Sequence, residues 1–156
     1  ISEVMAAHSL KADRVKFELD VDEIPLTLTA AAAFGQMMNE LLSNCLEHGL
    51  PNGSAGKIYI SLRRAANGVQ MAIRDNGAGL PEGFDPSLSD SVGLNMAAAG
   101  ARQLGGTLTF TSSGGCQVQA ELTRLSERAK AERAGIARMI AMAMDMSCLQ
   151  SGMLQG

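Results

Sequence analysis

Aromatic residues are scarce in this chain: there is no Trp, one Tyr and four Phe among 156 residues. It therefore offers no stacking platform for bases. With 13 Lys and Arg against 16 Asp and Glu it also has no basic field to draw in a phosphate backbone. Nucleic acid is not an expected partner. Cysteine is scarce too. Cys45, Cys116 and Cys148 are odd in number and far apart, which fits neither a disulfide framework nor a metal-ligand spacing. Reduced thiols in a cytoplasmic protein are the expectation. No apolar run of 18 residues escapes polar interruption, and no signal-peptide pattern opens the sequence, so neither a membrane span nor a secretory leader is expected in it. What remains is ordinary globular chemistry, 46% hydrophobic and 19% charged. The length suits one domain with an appendage.

Hydrophobic periodicity orders the chain. Lys16–Val21 alternates, with Phe17, Leu19 and Val21 on one face, and predicts a strand. A helix is predicted from about Thr27 to His48, where Gly49, Pro51 and Gly53 end it. Lys57–Arg64 and Val69–Arg74 alternate on either side of Ala66–Asn67–Gly68, a hairpin signal. A second helix is predicted over Val92–Leu104, with Val92, Met96, Ala99 and Leu104 as its apolar positions. Thr107–Thr111 and Gln117–Thr123 read as a second hairpin around Ser112–Cys116. This succession predicts an α/β fold, a two-layer sandwich with helices on one face of a mixed β-sheet. Residues 1–15 read as the end of a preceding helix or a linker, 16–125 as the domain, and 126–156 as a Met-rich C-terminal helix and tail. The Ile136, Met139, Ile140, Ala143 stripe is expected to pack against this domain or another chain.

Three segments carry candidate chemistry. In Asn39–Gly49, residues three and four apart share a helix face. Phe34, Met38, Leu41, Leu42 and Cys45 then form an apolar face, while Glu40, Asn44, Glu47 and His48 form a polar stripe. Polar groups on a largely buried helix need partners; the plain alternative is a solvated helix side. In Asp75–Pro81 an acid ends a buried strand ahead of Gly77 and Gly79, which permit close approach. Asp75 there can accept from an exocyclic amine; the plain alternative is an ordinary turn. Ser91–Gly93 leads into a helix N-terminus, where free N–H groups and the dipole favour an anion; the plain alternative is a simple helix start.

Together and in this order, NELLSNCLEHG, DNGAGLP and SVGLNMAAAGARQLGGTLTF resemble the asparagine box and the two glycine boxes of Bergerat-fold ATP-binding domains, the superfamily of gyrase, the Hsp90 chaperones, MutL and histidine kinases. The nearest likeness is to the catalytic domain of sensor histidine kinases. The short GLPEGFDPSLSDSVGLNM segment resembles the short-lid group related to the HWE kinases, although the strict pattern needs a Trp that this chain lacks. The resemblance runs from about Lys16 to Leu125. It implies a Bergerat ATPase fold and a catalytic-domain fragment without its own phosphoacceptor histidine. It implies ATP and Mg²⁺ as ligands. The γ-phosphoryl would go to a histidine on a separate dimerisation domain, with a response regulator downstream in two-component signalling. By position, Asn44 would hold Mg²⁺, Glu40 would orient or deprotonate the nucleophile, and Asp75 would bind the adenine amino group. Gly77, Gly79 and Leu80 would shape the adenine pocket, Gly93 and Leu94 the phosphate-side turn, and His48 would flank the nucleotide.

The chain departs from the pattern at three places. Glu47 stands where many members carry Lys or Arg, Ser91 replaces a glycine, and Cys116 stands near a frequent Thr. His8 lies only a few residues before a strand and is not read as an acceptor. Two alternatives stay open: a serine kinase of the anti-sigma-factor type, and a non-catalytic binding module with a degenerate nucleotide site. A homodimer through the C-terminal helix is a further expectation.

Overall fold

The computed structural model describes residues 14–50, 55–125 and 139–144. Five strands form one sheet. They are β1 (Val15–Val21), β2 (Gly56–Ala65), β3 (Gly68–Asp75), β4 (Thr109–Ser112) and β5 (Cys116–Leu122), in spatial order β1-β2-β3-β5-β4. β1 runs parallel to β2, and every other pair is antiparallel. Parallel pairing needs a crossover, and α1 (Leu28–Asn44) supplies it. The β2–β3 hairpin closes in two residues, Ala66 and Asn67, with Ala65 opposite Gly68. Alternation in β2 and β3 sends Ile58, Ile60, Leu62, Val69, Met71 and Ile73 to the core face. Their neighbours Lys57, Tyr59, Arg63 and Gln70 face the other way, toward solvent.

α1 begins at Thr27, whose hydroxyl accepts the Ala30 N–H at 3.0 Å, an N-cap that satisfies one of the free donors of the first turn. Its Phe34, Met37, Met38, Leu41 and Leu42 are among the most deeply buried side chains of the molecule. The second helix, α2 (Val92–Gln103), packs along α1. Its buried face differs from the one predicted. Ala97, Ala101 and Leu104 are buried, whereas Val92, Met96 and Ala99 are exposed. The reason is close approach. A Cβ at Gly100 would lie 3.1 Å from Met37 Cβ and 3.2 Å from the Ala33 carbonyl oxygen, so the small residues of α2 are the ones that seat on α1. The larger side chains of Val92 and Met96 are turned outward.

The helical segment 139–144 adds to the same core. Ile140, Ala143 and Met144 are buried in it, and Met139 Cε reaches the position of Gly35 on α1. Met139, Ile140 and Ala143 thus pack on this domain; Ile136 lies outside the described residues, as do His8, Cys148, Pro51 and Gly53. No helix among the described residues is long and apolar enough to cross a membrane.

Candidate functional site

Asp75 ends β3 at the centre of the sheet and is 1% exposed. Its Oδ1 accepts two backbone N–H groups, from Gly77 at 2.9 Å and Cys116 at 3.2 Å. Its Oδ2 is buried and has no hydrogen-bond partner among the described residues. The surrounding backbone is packed tightly enough to require glycine. A Cβ at Gly49 would lie 2.7 Å from Oδ2, a Cβ at Gly77 would collide with the Gly49 carbonyl, and one at Gly115 with the Asp75 carbonyl. The Cys45 thiol is close by. Burial first, then the Asp75 charge and Cys116, push it well above its ordinary range. It is a weak donor and makes no geometric hydrogen bond to Oδ2. Burial and then Asp75 likewise push the Cys116 thiol up, to about 11.

Asn44 is the last residue of α1. Beyond it the helix widens into one π-helical turn, Cys45–Gly49, closed by the Leu50 N–H on the Cys45 carbonyl at 2.9 Å. The Asn44 Nδ2 is the other buried side-chain atom without a partner among the described residues. An unpaired buried polar atom of this kind costs roughly 1–3 kcal/mol unless a ligand or water meets it.

Asn44 and Asp75 open onto one cavity of about 560 Å³. The loop between β3 and α2 forms one wall of it with Ala78, Gly79, Leu80, Pro81, Phe84, Ser89 and Ser91. Two contacts fasten this loop to β4. The Leu80 N–H donates to Ser112 Oγ at 3.1 Å, and Phe84 meets Phe110 of β4 edge-on, with ring centroids 6.1 Å apart. Ser91 caps α2 by accepting the Leu94 N–H at 3.3 Å, and both residues line the cavity. Among the described residues no Lys or Arg lines it, and His48 is the one ionisable base that does. No group of three or more His, Cys, Asp or Glu among the described residues is arranged to hold a metal ion.

A family model for the histidine kinase-, DNA gyrase B- and HSP90-like ATPase matches residues 29–126. The chain belongs to this ATPase family. It is 36% identical over 67 residues to the sensor histidine kinase PdtaS of Mycobacterium tuberculosis, a match that covers 42% of this chain and 13% of that protein's length. Its fold matches the blue-light-activated histidine kinase EL346 of Erythrobacter litoralis, with a TM-score of 0.67 and 21% identity over 81% of this chain and 41% of that one. It also matches the histidine kinase AdeS of Acinetobacter baumannii, with a TM-score of 0.60 and 21% identity over 78% of this chain and 62% of that one. The two-layer sandwich with a mixed sheet predicted from the sequence is thus the histidine kinase-like ATPase fold.

Of the residues singled out in the sequence, Asn44, His48, Asp75, Gly79, Leu80 and Leu94 line the ATPase-fold cavity. Three do not. Gly77 lies beneath it, pressed on Gly49. Gly93 faces Glu40, whose Oε2 would be 2.6 Å from a Cβ at that position. Glu40 itself sits one helical turn before Asn44, with Oε1 accepting from Gln36 Nε2 at 3.0 Å. Glu47 is exposed and lines nothing. A π-helical turn advances each residue through a smaller angle than an α-helix, so the stripe read at α-helical spacing does not continue through position 47. Ser91, which opens the anion-favouring turn read in the sequence, and Cys116, noted there as a departure, both line the cavity. Leu41, Cys45, Phe84, Phe110 and Val118 line it without having been singled out for it. Leu41 could have been found at position i−3 from Asn44, on the same helix face.

Proposed function

We propose that this domain binds ATP with Mg²⁺ and serves as the catalytic domain of a protein histidine kinase. It would pass the γ-phosphoryl to an imidazole on a separate dimerisation domain in a cytoplasmic two-component system with a response regulator. One observation carries the reading: the two buried side-chain polar atoms that have no partner among the described residues, on Asn44 and Asp75, lie on the same cavity in a chain of the ATPase family. Oδ2 of Asp75 is an acceptor waiting for a donor, and the exocyclic amine of adenine is one. The apolar walls, Leu80, Phe84, Phe110 and Val118, suit a flat ring. The triphosphate then extends toward Asn44 and the N-terminus of α2, where Ser91 already occupies the Leu94 N–H and the remaining N–H groups of the first turn favour anions.

The residues fit a metal of one kind. The donor set offers a single amide, whose oxygen is the atom suited to a hard cation, and whose nitrogen has no partner among the described residues. Mg²⁺ suits such a site because it keeps several waters and takes its other ligands from phosphates. Bound there, it would supply neutralisation of phosphate charge. The protein's own part is positioning: Asp75 orients the base, Asn44 the phosphate end, and Glu40 the incoming imidazole.

Calorimetric titration of Asn44→Ala with Mg·ATP tests this. Affinity should fall at least tenfold with the melting temperature preserved; an unchanged affinity removes Asn44 from the site. A second reading, a binding module without turnover, is favoured by the lack of Lys and Arg along the described cavity wall. It predicts little or no thermal stabilisation at millimolar Mg·ATP. A serine kinase of the anti-sigma-factor type would instead give an acid-stable phosphoamino acid.

A further inference from the structure

Glu40 is held from two sides, and neither side belongs to the cavity wall. On its own helix, Gln36 lies one turn earlier and donates Nε2–H to Oε1 at 3.0 Å. Across the interface, Oε2 faces Gly93 in the first turn of α2, where a Cβ would come within 2.6 Å of it. Glycine at 93 leaves Oε2 room against the start of α2, and the other oxygen is already engaged. A free glutamate on a helix surface samples several rotamers. This one is engaged by a donor on one side and lies beside Gly93 of α2 on the other.

We infer that Gln36 is the positioning residue for Glu40: its amide holds Oε1 so that Oε2 alone is presented toward the start of α2, where the phosphates end. The inference rests on the reading of Glu40 as the group that orients the imidazole. Gln36 is suited to this by being neutral and long. It donates a hydrogen bond without supplying a cation that would pair with the carboxylate and quench it. An ordinary exposed pair at this spacing steadies a helix by only about 0.2–0.5 kcal/mol. A purely structural role would therefore be almost silent, whereas misplacement of a reacting group is felt strongly in turnover.

The test uses the intact kinase that carries this domain, with γ-labelled ATP, and compares Gln36→Leu, Gln36→Arg and Glu40→Gln. Gln36→Leu removes the donor and keeps the bulk. Phosphotransfer turnover should fall about tenfold with the KM for ATP within about twofold and the melting temperature unchanged. Gln36→Arg returns a donor to Oε1 but as a cation that pairs with the carboxylate, and should recover little of the loss. Glu40→Gln should lose at least as much as Gln36→Leu. If Gln36→Leu turns over within twofold of the parent while Glu40→Gln is inactive, the role of Gln36 is overturned and that of Glu40 stands. If Glu40→Gln retains full turnover, the reading of Glu40 fails first and Gln36 falls with it. A rise in KM at constant turnover in Gln36→Leu would make Gln36 a contributor to nucleotide affinity and would also overturn the inference.

Discussion

Replacing Asp75 by Asn changes one oxygen into an amide nitrogen and leaves the shape alone. The Asn oxygen can keep both backbone N–H groups that Oδ1 now accepts, from Gly77 and Cys116. The nitrogen then takes the place of Oδ2, buried and without a partner. It presents a donor where the adenine amine also brings a donor. A hydrogen bond to a charged group contributes about 1.5–3 kcal/mol, so ATP affinity should weaken roughly 10- to 150-fold. Folding should be spared, because a buried charge is removed and no existing hydrogen bond is broken; the melting temperature should stay within about 4 °C of the parent, the shift that follows from about 1 kcal/mol in a domain of this size. Asp75→Ala is the contrast. It abandons two backbone donors at roughly 1–3 kcal/mol each and should lower the melting temperature by about 4–8 °C or more. Isothermal titration with Mg·ATP and a thermal melt on both variants decide the matter. Asp75→Asn binding ATP within twofold of the parent, or melting as low as Asp75→Ala, would refute the division of labour between the two oxygens.

Phe84→Ala should weaken ATP binding about two- to tenfold, since an aromatic pair contributes about 0.5–1.5 kcal/mol beyond its area and this one holds the loop over the cavity; a fluorescence titration with a labelled nucleotide measures it. Ile140 is fully buried in the common core, so Ile140→Ala should lose about 2–5 kcal/mol in a urea titration; no loss would mean that segment 139–144 contributes nothing to the domain. Stability should also fall in alkali. The Cys116 thiol is raised from 9.0 to about 11 and Cys45 is pushed well up. Both are neutral in folded and unfolded chains below about pH 8.5. As the pH rises above that, the unfolded chain gives up these protons first, so stability is lost progressively toward 11. Melting curves across that window should show the decline, and a Cys45→Ala, Cys116→Ser variant should flatten it.

The strands were legible because one sheet face is buried and the other solvated, so alternation in KIYISLRR and in the return strand maps directly onto the core. The α1 helix was legible from its length and apolar density. What packs α2 was not. Apolar periodicity picks out the large side chains Val92 and Met96, but the contact is made by Ala97, Gly100 and Ala101, whose value lies in how little space they take. The site was legible where a residue is polar in an apolar setting, as with Asn44 and Asp75. It was illegible where geometry decides. Nothing local in CLEHG announces a π-helical turn, so Glu47 was placed on the ligand side and stands in solvent. The Phe84–Phe110 contact joins two residues 26 positions apart, and Phe84 is half-buried.

The two amides that Oδ1 accepts come from Gly77 and from Cys116, and Gly49 closes the same carboxylate from a third part of the chain. Cys116, 41 residues from Asp75, and Gly49 reach it only after much loop-closure entropy has been lost. Competence to bind nucleotide would therefore be acquired late in refolding, once both layers are assembled. Half-assembled species, even those with a formed sheet edge or a formed first helix, would be blind to nucleotide, and the appearance of ligand affinity would serve as a clock for completion of the fold.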